Sequence, residues 1–200
     1  MTSLVKYAWD EEEKVIYSHL FLGQEASLDK ADIRVESTYP WEGRIAYHVT
    51  AKTKETFALA IHIPAYIREY GVTVNGEAID AASLLRDGYL FIDRVWGRDD
   101  TVQIEFMMPV RRIYANAHVR ADAGCVALMR GPIVYCFEGV DNGENLQALS
   151  IPRDAKIVPV TCKEGVLRGL TLLTVKGIRS VPSLIIYFEM VYAASHAPGV

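Results

Sequence analysis

Apolar residues return at every second position through most of this chain. Over residues 31–39, Ile33, Val35 and Ser37 share one face while Arg34, Glu36 and Thr38 share the other. Over residues 44–50, Ile45, Tyr47 and Val49 oppose Arg44, Ala46 and His48. Over residues 56–63, Phe57, Leu59, Ile61 and Ile63 alternate with small or polar partners. A period of two belongs to a β-strand that buries one face. Residues 14–22, 72–74, 89–92 and 101–107 read as further strands, and Asn75-Gly76 is a strong hairpin turn signal. Helical patterning is confined to residues 81–86, which supply one turn or two. A parallel α/β sheet needs a crossover helix between strands, so that class falls away. Short strands spaced about 8–14 residues apart, with Gly, Pro, Asn and Asp between them, predict an all-β chain of sandwich type.

The pattern pauses at Met108-Pro109 and then resumes. Residues 112–119, 125–130, 133–138, 156–161, 170–175 and 183–192 carry the strand signal of the second half, and Asp141-Asn142-Gly143-Glu144-Asn145 is a turn-rich loop. Two tandem antiparallel β-sandwich domains, jelly-roll-like, are expected over residues 1–109 and 110–200. The halves show no internal repeat.

Composition excludes several function classes. Among 200 residues, 21 Lys and Arg face 25 Asp and Glu, a net charge of −4 with no basic block. Nucleic acid is held by Lys and Arg on phosphates, so it is not an expected partner. No apolar run reaches the roughly 20 residues of a membrane helix, so no membrane partner is expected either. The N-terminus lacks the basic and apolar regions of a signal peptide. Three cysteines, Cys125, Cys136 and Cys162, have no C-x-x-C spacing, which fits a reducing, cytoplasmic compartment. Cys125 and Cys136 lie in apolar runs and read as small core residues.

Few side chains stand out as chemistry. Tyr39-Pro40-Trp41-Glu42-Gly43 puts two aromatics around a proline at a strand end. The rings can stack on a sugar, or they can cap the core or pack on a neighbouring domain. Trp96 beside Arg94, followed by Gly97 and the charged Arg98-Asp99-Asp100, offers the same choice between a ligand surface and a hairpin loop. Glu36, Glu42, Glu105, Glu138 and Asp141 are available carboxylates, yet no motif selects a pair for glycoside hydrolysis. The five histidines, at 19, 48, 62, 118 and 196, have no metal-ligand spacing, although His48 and His62 can sit on adjacent strands. The residues supply no catalytic or metal constellation.

Several longer runs carry a resemblance. The second half reads Met108-Pro109-Val110-Arg111-Arg112-Ile113, then Val126-Ala127-Leu128-Met129-Arg130-Gly131-Pro132-Ile133-Val134-Tyr135-Cys136-Phe137-Glu138 and Asp141-Asn142-Gly143. The first half offers residues 17–23, Tyr39-Pro40-Trp41-Glu42-Gly43 and Val74-Asn75-Gly76-Glu77. In this order they resemble the C-terminal region of family 127 glycoside hydrolases, the β-L-arabinofuranosidases. His62-Ile63-Pro64-Ala65-Tyr66 stands where that family has Arg-x-Pro-x-Trp, Asp99 stands for a glycine after Trp96, and residues 186–200 depart from its aromatic end.

The resemblance implies an (α/α)₆ catalytic barrel, of the same or another chain, followed by two β-sandwiches. The barrel would carry a zinc-bound cysteine nucleophile and a glutamate acid/base. No catalytic or metal residue, and no cofactor, carries over to this sequence. The resemblance therefore implies a non-catalytic accessory region of a bacterial-type enzyme, with the barrel as partner, a homodimer through these domains, and plant-type glycans as the parent's target. The alternative is a carbohydrate-binding module, or a free-standing interaction protein, with Tyr39, Trp41, Tyr66 and Trp96 as stacking or domain-interface residues.

Overall fold

The computed structural model describes residues 6–181 and 184–194, the stretch from 181 onward by backbone alone. The first five residues of the N-terminal segment, and the side chains of the divergent segment 186–200, lie outside the described residues. The chain divides into two compact units, Met1–Met108 and Pro109–Val200. Both are almost entirely β.

Eleven strands build the first unit: β1 (Trp9–Glu12), β2 (Val15–Ser18), β3 (Gln24–Ser27), β4 (Ala31–Ser37), β5 (Arg44–Ala51), β6 (Thr56–His62), β7 (Tyr70–Val74), β8 (Glu77–Ala78), β9 (Leu85–Arg86), β10 (Tyr89–Val95) and β11 (Asp100–Phe106). A single helical turn, α1 (Ala81–Leu84), precedes β9, and the Asp80 carboxylate accepts from the Ala82 N–H at its start. One sheet runs β1-β2-β6-β10-β9 and the other β3-β4-β5-β11-β7-β8. Pairing is antiparallel except between β2 and β6, which are parallel. These two strands are not consecutive, so the chain between them passes through β3, β4 and β5 of the other sheet.

The period of two decides which side chains go inside. Ala31, Ile33 and Val35 on β4, Ile45, Tyr47 and Val49 on β5, and Val102, Ile104 and Phe106 on β11 are buried. From the opposite sheet, Ile16, Phe57, Leu59, Ile61, Leu90 and Ile92 join the same core. Each such side chain removed from water contributes about 1.5–3 kcal/mol before entropy is counted. Hairpins close where the sequence permits left-handed backbone: Asn75 and Gly76 take φ of 53° and 82°, Asp87 and Gly88 take 51° and 80°. Asp99, at the family's glycine position, is not among the residues of positive φ.

β6 departs from simple alternation. Five consecutive residues, Phe57 to Ile61, are buried. Ala58 and Ala60 point away from the shared core, yet they are 5% and 0% exposed. Their cover lies on the outside of the sheet, as described below.

The second unit contains β12 (Val110–Ile113), β13 (Ala127–Arg130), β14 (Ile133–Phe137), the helical turn α2 (Gly139–Asn142), β15 (Leu149–Ser150), β16 (Ile157–Thr161), β17 (Thr171–Val181) and β18 (Leu184–Ala194). The strands join in the order β12-β13-β14-β18-β17-β15. The length of β17 lets it pair with β16 near its start and β15 near its end. Leu128, Tyr135, Leu173 and Val175 are buried. The Arg112 guanidinium donates to the carbonyls of Pro152 (3.2 Å) and Ala155 (2.7 Å), and Arg179 donates to those of Glu144 (2.7 Å) and Asn142.

The structure corrects three expectations. The strand expected over 112–119 ends at Ile113, where an Asx turn follows: the Asn116 side-chain oxygen accepts from the His118 N–H at 3.0 Å. The strand expected from Cys125 begins at Ala127, so Cys125 is exposed instead of buried, while Cys136 and Cys162 are half-buried. None of the three is in a disulfide. His48 and His62 occupy β5 and β6, which belong to different sheets rather than adjacent strands.

Candidate functional site

The four aromatics selected from sequence have different fates. Tyr39 and Trp41 lie on the loop between β4 and β5, and the Tyr39 hydroxyl is hydrogen-bonded to that of Tyr66. The Tyr39 ring stands edge-on to Phe21 (5.1 Å) and Phe106 (6.2 Å), so it closes this end of the core. Tyr66 also packs against the core, while Trp41 is half-buried on the loop. Trp96 is a correction: it is 3% exposed, stacked on Phe57 at 5.9 Å, with its indole N–H donating to the Phe57 carbonyl. A ring so enclosed offers no face to a sugar.

Gly43 is not among the glycines of positive φ. A Cβ at Gly43 would overlap the backbone carbonyl of Phe106. The glycine of the Tyr-Pro-Trp-Glu-Gly run allows two backbones to touch, and the Phe106 N–H donates to the Gly43 carbonyl at 2.9 Å.

Sequence reading missed a larger aromatic group on the outer face of the first sheet. Tyr17 stands edge-on to Tyr89 (5.6 Å) and to Phe91 (6.0 Å) and lies nearly parallel to His19 (6.0 Å). His19 Nδ1 and the Tyr89 hydroxyl are 2.7 Å apart, and the His62 ring lies 5.4 Å from Tyr89. The Arg86 guanidinium sits 3.9 Å above the Phe91 ring. Burial raises the Tyr17 phenol pKa and the nearby Glu12 carboxylate adds to the rise. Burial, then the neighbouring His19, lowers that of His62 and favours its neutral form. The missed signal was a second parity: Tyr17, His62, Tyr89 and Phe91 alternate with Ile16, Ile61, Leu90 and Ile92 on the same strands.

The outer face of the second sheet is different in kind. It forms an open groove of about 630 Å³, and several charged residues on this face are paired. Lys52 meets Asp32 at 2.7 Å, Arg34 meets Glu36, and His48 lies 3.7 Å from Glu36. Glu42 pairs with Arg44, and Glu105 sits opposite Arg44 across β11 and β5. These carboxylates therefore meet cations, not a second acid across a cleft. Asp100 is held by the Gly97 N–H and the Asn75 amide, both at 2.6 Å, which makes it a loop tie. In the second unit a cleft of about 320 Å³ is lined by Arg112, Tyr114, Cys125 and Arg153 among others.

The β-L-arabinofuranosidase family 127 middle-domain model matches residues 15–108, and the glycoside hydrolase family 127 C-terminal domain model matches residues 110–188. The chain belongs to glycoside hydrolase family 127. The non-reducing end β-L-arabinofuranosidase of Bifidobacterium longum subsp. longum is 36% identical over 155 residues, covering 73% of this chain and 23% of that protein. A crystal structure of a family 127 β-L-arabinofuranosidase from Geobacillus stearothermophilus T6 has a TM-score of 0.83 at 36% identity, covering 96% of this chain and 32% of that one. Another family 127 β-arabinofuranosidase structure has a TM-score of 0.84 at 28% identity, covering 95% of this chain and 33% of that one. The chain thus corresponds to between 23% and 33% of the lengths of these family 127 relatives.

The family 127 resemblance placed a zinc-bound cysteine in the barrel. The described residues do not fit such a site, for no group of three His, Cys, Asp or Glu among them is arranged to hold a metal ion. No described helix is long and apolar enough to cross a membrane.

Proposed function

We propose that this chain is an accessory region of a β-L-arabinofuranosidase-like glycoside hydrolase that supports a catalytic barrel and takes no part in bond cleavage itself. The match of consecutive middle and C-terminal domain models across residues 15–188 carries this reading. Glu36 and Glu42 are committed to ion pairs and Asp100 to a loop tie, which agrees with a supporting role. Zinc and its cysteine ligands belong to the barrel in this reading, plant-type glycans are the parent's target, and a reducing cytoplasm suits the three thiols. A homodimer through these domains belongs to the same reading and is checked by sedimentation.

The test is an assay of this chain alone on p-nitrophenyl β-L-arabinofuranoside with zinc and reductant. No turnover above background is expected, and turnover would overturn the reading. A carbohydrate-binding role is favoured by one observation only, the half-buried Trp41 on its loop beside Tyr39. Titration calorimetry with arabino-oligosaccharides, repeated on Trp41→Ala, decides it: heat that disappears in the variant supports sugar binding.

A further inference from the structure

The two outer faces of the first unit have opposite chemistry. On the second sheet, Asp32, Arg34 and Glu36 stand exposed in solvated ion pairs. On the first sheet the strand register sets Glu12, Val15, Ala58 and Asp93 in one row and Asp10, Tyr17, Ala60 and Phe91 in the next. His62, Tyr89 and Arg86 make the third row, with His19 bonded to Tyr89. The middle of this face is aromatic and alanine, the polar groups sit on its margins, and Asp10 and Glu12 on β1 and Asp93 on β10 add negative charge around it.

Such a face suits a protein partner. Aromatic side chains and arginine are the groups enriched at interface centres, and charges are depleted there. The rings hold one another edge-on, so little rotamer freedom remains to be lost on binding. Five strands about 4.8 Å apart, the longest of seven residues at about 3.3 Å each, present a plan area of about 400 Å². That is the scale of the dry centre of an interface burying about 800 Å² per partner.

Resting on the accessory reading above, the geometry points to this outer face of the first sheet, centred on Tyr17, Tyr89 and Phe91, as the seat of the catalytic barrel. Two observations select that occupant. The relatives are three to four times longer than the matched region, so most of each lies outside these two domains. The middle-domain model begins at residue 15, on β2, and β1 and β2 are the strands at one edge of this sheet. The chain thus enters the first unit along β1 and β2 at the edge of this sheet and reaches the second sheet only at β3. The barrel surface that lands here is expected to place cations opposite Asp10, Glu12 and Asp93.

The experiment joins this chain to the preceding part of the Geobacillus stearothermophilus relative, in place of that enzyme's own middle and C-terminal domains. Melting is followed together with hydrolysis of p-nitrophenyl β-L-arabinofuranoside. The unmodified fusion is expected to be active and to melt in one transition. Tyr17→Glu with Phe91→Glu should split the melt in two and cut activity at least about tenfold at the temperature of the first transition. Gln103→Glu, on the outer face of the second sheet, should change neither. Circular dichroism of the same double variant in this chain alone shows whether it folds. If it does not, Asp10→Lys with Glu12→Lys, on the edge strand, takes its place with the same expected split. A single transition in a folded variant overturns the assignment of this face and leaves the accessory reading standing. An unmodified fusion that is inactive or melts in two transitions overturns the accessory reading and this assignment together.

Discussion

The indole N–H of Trp96 donates to the main-chain carbonyl of Phe57 at 2.9 Å, and the two rings stack 5.9 Å apart. One side chain thereby closes the open end of the β6–β10 pair, whose register ends at Val95 opposite Thr56. Trp96→Ala removes a fully packed ring and should cost about 3–5 kcal/mol in urea unfolding. Trp96→Phe keeps most of the apolar volume but leaves the Phe57 carbonyl without its donor, a loss of about 1–2 kcal/mol. A change below about 0.5 kcal/mol for the alanine variant would contradict the core position.

The core-facing strands were legible because each has a sharp parity. β4, β5 and β11 set apolar residues against charged, polar or small ones, and burial follows that alternation. Two edge strands were not legible. Trp9–Glu12 and Gln24–Ser27 are polar, and their extended form comes from pairing with β2 and β4 rather than from their own preference. The outer aromatic face escaped for the opposite reason. Its strands are apolar or aromatic at both parities, and a run of that kind signals a doubly covered strand without saying what covers the second side. Trp96 was misjudged because its charged sequence neighbours, Arg94 and Arg98, hide a ring that points inward.

Ser18 and Tyr47 form a buried polar contact inside the sandwich, with hydroxyl oxygens 2.9 Å apart. Both residues are 0% exposed, so water cannot replace either partner. Tyr47→Phe should therefore cost about 1–2 kcal/mol through the stranded Ser18 hydroxyl, and Ser18→Ala should cost a similar amount through the stranded phenol. The double variant leaves no orphan. Its loss should be smaller than the sum of the two by about 1 kcal/mol in a double-mutant cycle. Strict additivity would mean that the two hydroxyls do not support each other.

Gly43 tests the close approach of two backbones. A methyl group there meets the Phe106 carbonyl, a main-chain atom at the end of β11 that cannot rotate away. Gly43→Ala should cost about 3 kcal/mol and displace the Tyr39–Trp41 loop along with the end of β11. Amide shifts confined to residues near Gly43 and Phe106 in a heteronuclear spectrum would mark the site of the strain. An alanine variant as stable as the native chain would refute the contact.

Asp100 makes a pH-dependent contribution whose sign follows from its partners. Burial pushes its carboxyl upward, but the Gly97 N–H, the Asn75 amide and Arg94 outweigh burial and leave the pKa below the ordinary aspartate value. The Asn75 side-chain oxygen passes the tie on to the Thr101 N–H at 2.8 Å, so one carboxylate fixes two loops. Its folded pKa lies below its unfolded one, so the unfolded chain binds the proton more readily. The stabilisation is complete at neutral pH and drains away as pH falls below about 4. Asp100→Asn should cost about 1–2 kcal/mol at neutral pH, where a charged acceptor is lost. At pH near 3 the gap between variant and native chain should narrow, because the native carboxyl is then itself becoming protonated. Urea unfolding at the two pH values measures both figures. A gap that stays constant on acidification would show that the charge of Asp100 contributes nothing to holding the loops together.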